Sequence, residues 1–418
     1  MPYLILGCSA AGIAAAEAIR QVDRITPLTM VSAENIPAYA RCLLPELLTG
    51  RFSPPELGWR EEDFYVRNKI KLILDNPAVR LKLRGKTVKL ADGTEIKYER
   101  LLLATGAKSI SLSSVPGANL AVPFRTLAEA DSILKEAERE KEAVIIGAGP
   151  VGLKAAVALS HTGMRVTVVE QAAWIMPAFL EEESARILQD ALQKEGIEFI
   201  TGQRVKSIKI MEEPGLTQGR GKKIELAGGK CLTAGMVLNT TGILPNKELA
   251  TEAGIATEQG IVVDRHQQTS LPDVYAAGDV CQVKDELTGR AVIPGRWDVA
   301  VAQGRVAGYN MAGAKRAGSE YIAMHAGQYG SLPVVTLGLG NAKPDREYRI
   351  YTLAQPERGL YRRLVFLNGR LVGAIFLGDV SRAGVFAAFI RSGKEVAKEA
   401  PEMLKGRLPV TLPLAGRR

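Results

Sequence analysis

The sequence predicts an α/β fold: two copies of one strand–turn–helix–strand unit, followed by a small α+β domain. Three observations predict it. The stretch 143–170 runs buried strand, glycine turn, helix, strand, acid. Residues 3–34 repeat that order in looser form. From about Gly318 the pattern changes to short strands with one clear hairpin turn.

The central unit is the clearer copy. Ala143-Val144-Ile145-Ile146 is an apolar run of the kind a strand buried on both faces requires. Gly147-Ala148-Gly149-Pro150-Val151-Gly152 then supplies Gly-x-Gly-x-x-Gly. Leu153 to Leu159 suits a helix, Arg165 to Val169 is a second strand, and Glu170 ends it. Together these make a Rossmann-like dinucleotide-binding unit. Gly147 permits the tight turn, Gly149 leaves room for a pyrophosphate, and Gly152 lets the helix lie close to the strand. The helix N-terminus, at Pro150 and Val151, offers N–H groups and a positive dipole end to phosphate. Glu170 can accept bonds from both hydroxyls of an adenosine ribose. Its charge would repel a 2′-phosphate, which favours NADH over NADPH. A ligand-free glycine turn is the competing reading of an isolated motif. The strand, helix and acid beside it argue against that reading here.

At the N-terminus, Tyr3-Leu4-Ile5-Leu6 is the strand and Gly7-Cys8-Ser9-Ala10-Ala11-Gly12 the turn, with Ser9 in place of the middle glycine. Ala14 to Ile19 forms the helix, Leu28 to Val31 the second strand, and Glu34 follows. Two units suggest two dinucleotides, one that stays bound and one that exchanges.

Length and composition fit this plan. A chain of 418 residues calls for two or three domains. No apolar run is long enough to span a membrane and no signal peptide precedes the first strand, so a cytoplasmic protein is expected. Cys8, Cys42, Cys231 and Cys281 are scattered singly, which indicates neither a disulfide framework nor a metal site. His161, His266 and His325 read as surface residues. The net charge of +9 suits an acidic partner. No nucleic-acid module accompanies it.

Between the two units, Pro37 to Pro45 begins a helical piece and Phe52 to Asp63 reads as loop. Ile70–Leu74 and Ala78–Leu81 are short strands, and 86–96 is a hairpin around Asp92-Gly93. Leu101-Leu102-Leu103-Ala104-Thr105-Gly106 is a buried strand ending in small residues, which let backbone N–H groups approach a ligand. Ser109 to Pro123 reads as a linker. Asn239-Thr240-Thr241-Gly242 echoes Ala104-Thr105-Gly106, as a duplicated domain would. Val274 to Ala277 delivers Gly278-Asp279 to a turn, where the aspartate suits a sugar hydroxyl or a helix cap. Val299 to Met311 is helical, just after Trp297. At the C-terminus, 334–337, 348–351, 363–366 and 372–377 are antiparallel strands, with Asn368-Gly369 a hairpin turn and 383–390 a helix.

Gly7–Gly12, Ala104–Gly106, Gly147–Gly152, Glu170 and Ala277-Gly278-Asp279 together resemble the pyridine nucleotide–disulfide oxidoreductase superfamily, across essentially the whole chain. The resemblance implies two Rossmann-like domains. The FAD domain would comprise 1–108 and 243–317, the NAD domain 109–242, and the α+β interface domain 318–418. It implies FAD held by Gly7, Ser9, Ala10, Ala11, Gly12, Glu34, Arg41, Cys42, Val79, Ala104, Thr105, Gly106, Gly278, Asp279 and Trp297. NAD(H) would be held by Gly147, Gly149, Pro150, Val151, Gly152, Glu170 and Gly242.

Disulfide reductases of this superfamily carry a close cysteine pair, and none exists here. Tyr39-Ala40-Arg41 and Phe376–Val385 are similar to FAD domains of nitrite reductases, to NADH:rubredoxin or ferredoxin reductases, and to oxidoreductases accompanying carbon monoxide dehydrogenase. That implies hydride transfer from NADH to flavin, then electrons to a small acidic ferredoxin- or rubredoxin-like carrier. The alternative is a single-cysteine NADH oxidase or coenzyme A disulfide reductase. Ala40–Pro45 resembles its cysteine segment, although Leu43 replaces the usual glycine. Cys42 is then either catalytic or a small buried apolar residue. Lys154 stands where relatives place a glutamate. It either holds charge near reduced flavin or reaches solvent. A nucleotide-binding regulator without turnover is the remaining reading. The resemblance leaves open pairing of two subunits through the C-terminal domain.

Overall fold

The structure, a computed structural model, describes residues 2–211, 221–344 and 347–407. The chain divides into two compact units: Met1–Leu44, Phe52–Lys108 and Ile243–Tyr321 form the first, Pro45–Arg51, Ser109–Gly242 and Ile322–Arg418 the second.

The first unit is built on a parallel sheet in the order Val274–Ala276, Arg100–Leu103, Tyr3–Leu6, Leu28–Val31, Ile70–Ile73. Leu4 sits between Leu101 and Thr29 across this sheet. Leu4, Ile5, Leu101 and Leu102 are fully buried because both faces are covered, which is why these strands read as continuous apolar runs. Helix Ala10–Val22 packs against helix Trp297–Met311. A Cβ on Gly304 would lie 2.2 Å from the Ala11 carbonyl oxygen, and one on Gly308 2.3 Å from that of Ala15. The two helices thus meet backbone to backbone. A three-stranded antiparallel sheet, Ala78–Lys82, Thr87–Leu90 and Glu95–Lys97, turns at Asp92-Gly93 as the sequence requires.

The second unit repeats the plan. Its parallel sheet runs Ile197–Ile200, Arg165–Val169, Glu142–Ile146, Met236–Asn239, Val122–Pro123, beside an antiparallel sheet of Val205–Ile210, Lys222–Leu226 and Cys231–Ala234. The edge strand is a correction. Residues 109–123 read as linker, but Val122–Pro123 pairs in parallel with Leu238 and Asn239. The segment is too short and proline-marked to show any strand periodicity.

A five-stranded antiparallel sheet completes the second unit: Met324–Tyr329, Leu332–Gly338, Arg370–Leu377, Leu360–Leu367, Tyr348–Gln355, with helix Ala383–Ser392 against it. Asn368 and Gly369 both have positive φ, 51° and 79°, the conformation a two-residue hairpin turn demands. Nothing in the sequence marks the first strand, because Met-His-Ala-Gly-Gln-Tyr has neither branched residues nor clean alternation. Its backbone pairing with Leu332–Gly338 supplies what its side chains do not. This sheet is tied to the central domain: the Tyr361 hydroxyl donates to Glu181 Oε1 at 2.7 Å, and Ser331 N–H to Glu195 Oε1 at 2.7 Å. Burial pushes the Glu181 carboxyl up. Donors from Tyr361, Ser184 and Glu183 outweigh that and hold it below its ordinary value. Residues 212–220, and 345–346 and 408–418 of the C-terminal segment, lie outside the described residues.

Candidate nucleotide cradles

In the first unit the turn Gly7–Gly12 closes at the carboxyl end of the sheet. Gly7 has φ +122°, and a Cβ there would lie 2.1 Å from the Ala104 carbonyl oxygen. A Cβ on Gly12 would lie 2.0 Å from the Gly7 carbonyl oxygen. Only glycine allows the turn, the helix start and the Ala104–Gly106 segment to meet this closely. Ser9 is the N-cap residue of helix Ala10–Val22, yet its hydroxyl makes no capping bond. The first N–H groups of that helix have no partner within it. A hydroxyl and a row of amide donors at one helix end suit a phosphate.

The acid of this unit is anchored from its own side. Glu34 Oε1 pairs with Arg41 at 2.5 Å, and Oε2 accepts from the Tyr39 hydroxyl at 2.8 Å. Burial works against the Arg41 charge. Tyr39, Glu34 and Asp279 together nevertheless hold its guanidinium above its ordinary value. Arg41 thus lies within electrostatic reach of both Glu34 and Asp279. Gly278, at φ +85°, donates its N–H to Gln303 Oε1 at 2.8 Å. Thr105 does not present a spare hydroxyl: its Oγ1 donates to the Asn246 carbonyl at 2.9 Å, and Asn246 Nδ2 donates to the Thr105 carbonyl at 2.8 Å. Val79 lies on strand Ala78–Lys82 and is exposed. Trp297 begins its helix and packs edge-on against Trp59, ring centroids 4.9 Å apart.

In the second unit, a Cβ on Gly152 would lie 2.1 Å from the Gly147 carbonyl oxygen and 2.6 Å from Thr240 Oγ1. Thr240 Oγ1 donates to the carbonyls of Ile146 and Gly147, each at 3.0 Å. The turn Asn239–Gly242 thus buttresses this cradle, as Ala104–Gly106 buttresses the other. Gly149 differs: nothing lies within 4 Å of the place a Cβ would take, so that side of the turn is open. Pro150 opens helix Pro150–His161, and Val151 beside it is 46% exposed. Glu170 is 8% exposed, with Oε2 accepting from Ala148 N–H and Oε1 from Ala172 N–H, both at 2.8 Å. A carboxylate has about four acceptor directions. Two therefore remain for a ligand. Lys154 is half-buried, one turn into the helix.

Two expectations about single residues change. Cys42 is not a buried apolar residue: it is exposed, on the 3-10 turn Arg41–Leu43. His325 is not a plain surface histidine: its ring lies 4.7 Å from that of Phe179, and Nε2 bonds the Tyr329 hydroxyl at 2.7 Å. Cys8, inside the first turn, contacts the Tyr65 hydroxyl at 3.2 Å, and burial pushes its thiol up to about 11. Cys281 is fully buried and Cys231 exposed. Among the described residues no cluster of three or more His, Cys, Asp or Glu could hold a metal ion, and no helix is long and apolar enough to cross a membrane. Sequence reasoning missed Tyr39, Asn246 and Gln303 as parts of the first cradle. Tyr39 carried a signal, as the first residue of the Tyr39-Ala40-Arg41 motif, and Gln303 another, as a polar residue in a buried helical stripe with Ala300, Gly304 and Ala307.

Residues 1–304 match the pyridine nucleotide-disulphide oxidoreductase family. The chain belongs to that family. It is an oxidoreductase, and oxidoreductases of this kind bind FAD and NADH. Residues 335–394 match the rubredoxin NAD+ reductase C-terminal domain. The NADH-dependent phenylglyoxylate dehydrogenase subunit epsilon of Aromatoleum evansii is 31% identical, over 93% of this chain and 91% of its own length. The NADH-rubredoxin oxidoreductase of Clostridium acetobutylicum is 27% identical, over 94% of each chain. A NAD-dependent persulfide reductase from A. fulgidus has the same fold, with TM-score 0.88 and 27% identity over 98% of this chain and 79% of that one.

Proposed function

We propose that this protein is an NADH-dependent flavoprotein reductase that passes electrons to a small acidic redox protein of the rubredoxin or ferredoxin class. The observation that carries this reading is the pair of cradles in one chain, one open at Gly149 and one closed around Gly7–Gly12. The residues of the first cradle fit FAD. Glycines that no Cβ could replace bring the turn close, Ser9 and the helix end offer donors, and Asp279 with Glu34 and Arg41 supplies groups for the sugar portions. Bound there, FAD supplies a two-electron acceptor that can release electrons singly.

The chain's own residues bind and orient. Gly147–Gly152 and the end of helix Pro150–His161 take the NADH diphosphate. Glu170, fixed by two backbone donors, holds the adenosine ribose and selects against a 2′-phosphate. Rubredoxin reductases among the relatives and the net charge of +9 support an acidic protein as acceptor.

Exposure of Cys42 favours a second reading, in which its thiol reduces a disulfide, persulfide or peroxide. An anaerobic titration separates the two. NADH should bleach the flavin absorbance, and added rubredoxin or ferredoxin should restore it, in the parent and in Cys42→Ser alike. Loss of turnover with every acceptor in Cys42→Ser would establish the thiol reading instead. A protein that takes up no flavin would defeat both.

A further inference from the structure

Gln303 is 6% exposed and stands in the middle of helix Trp297–Met311. Its Oε1 accepts the Gly278 N–H at 2.8 Å. That bond fixes which way the amide points, because an N–H cannot donate to an NH2 group. Nε2 is therefore oriented, and it is fully buried with no hydrogen-bond partner among the described residues. Leaving such a donor unpaired costs free energy that an apolar side chain would not incur.

The surroundings say where the missing acceptor comes from. A Cβ on Gly278 would lie 3.1 Å from Ala11 Cβ and 3.7 Å from Ala300 Cβ. A Cβ on Gly304, the next residue after Gln303, would lie 2.2 Å from the Ala11 carbonyl oxygen. The amide thus sits where three pieces converge: the first turn of helix Ala10–Val22, the Gly278-Asp279 turn, and helix Trp297–Met311. The first two are the segments that would hold the diphosphate and sugar of FAD.

We propose that Gln303 is a positioning residue of the FAD site. Its carbonyl pins the Gly278-Asp279 turn, and its buried NH2 donates to an oxygen that arrives with the dinucleotide, either on the diphosphate or on water the diphosphate holds. This assignment rests on the reading of the first cradle as the FAD site. It makes Gln303 the link between the phosphate end and the sugar-binding aspartate. A residue with a merely structural role would need only its acceptor.

The test is FAD binding measured by flavin fluorescence on the stripped and reloaded full-length protein, with melting of the stripped form alongside. Gln303→Glu keeps an acceptor for Gly278 and removes the amide donor. It should weaken FAD binding by about tenfold to a hundredfold, while melting of the stripped form records separately the cost of burying a carboxylate. Gln303→Met loses both functions and should weaken FAD binding at least as far. If Gln303→Glu binds FAD like the parent, the donor role is overturned. Should that variant not fold, parent-like FAD binding by Gln303→Met overturns it equally. A parent that takes up no FAD would defeat the cradle assignment itself, an outcome distinct from either.

Discussion

The two cradles share a plan and differ in how they are finished. Each has a five-stranded parallel sheet, a glycine turn, and a small-residue turn that buttresses it. The second stops there. Its acid is held by its own backbone at Ala148 and Ala172, and Gly149 and Val151 face open space. The first adds more. Its acid is tied to Tyr39 and Arg41, and Gly278-Asp279 and Gln303 close around the helix start. The difference teaches that a shared turn can be finished openly or enclosed by added elements: on the proposed reading, the enclosed cradle suits a cofactor that stays and the open one a cofactor that exchanges.

The sharpest way to break this comparison is to add one methyl group to each cradle. Gly12→Ala places a Cβ 2.0 Å from a backbone oxygen. It should abolish flavin retention and cost about 3 kcal/mol of stability, read from flavin per polypeptide and from thermal melts. Gly149→Ala meets nothing within 4 Å. It should melt like the parent, keep its flavin, and lose only affinity for NADH. Equal damage from both would remove the distinction.

The paired acids come next. Glu170→Gln weakens two backbone bonds and, on the proposed reading, a ribose contact. It should lower kcat/KM for NADH about tenfold, roughly one charge-assisted bond, and narrow the preference over NADPH. Glu34→Gln removes the carboxylate that pairs with Arg41 and should speed flavin release while leaving the KM for NADH unchanged.

Smaller effects sharpen the first cradle. Burial raises the Cys8 thiol from 9.0 to about 11. A raised folded value favours the protonated form. The stability it contributes is therefore complete below about pH 9 and lost as pH climbs toward about 11. Urea melts of parent and Cys8→Ala should differ in slope only across that window. Smallest of all, Ser9→Gly converts the first turn to the second's pattern. The hydroxyl caps nothing, so stability should shift by only a few tenths of a kcal/mol. FAD affinity should still fall severalfold, measured by fluorescence titration.

What the sequence disclosed follows from range. Gly7–Gly12 and Gly147–Gly152 are local patterns whose steric reasons lie within a few residues, so both sheets and both turns were legible. The bond between Gln303 and Gly278, the exposure of Cys42, and the Thr105–Asn246 exchange depend on segments far apart in the chain. Val122–Pro123 and Met324–Tyr329 are strands through their neighbours rather than their composition. His325 reads as surface until the fold brings Phe179 against it.

The origin of the outermost strand has a consequence for biosynthesis. The second sheet takes its edge, Val122–Pro123, from chain made before its core, whereas the first must wait for Val274–Ala276 and then for the helix ending at Met311. On the ribosome the opening segment therefore emerges as an incomplete sheet with one flank bare. All five strands of the second parallel sheet are made by residue 239, so that sheet can complete its pairing earlier. A nascent chain halted before residue 274 should show that second parallel sheet better protected from protease than residues 1–108.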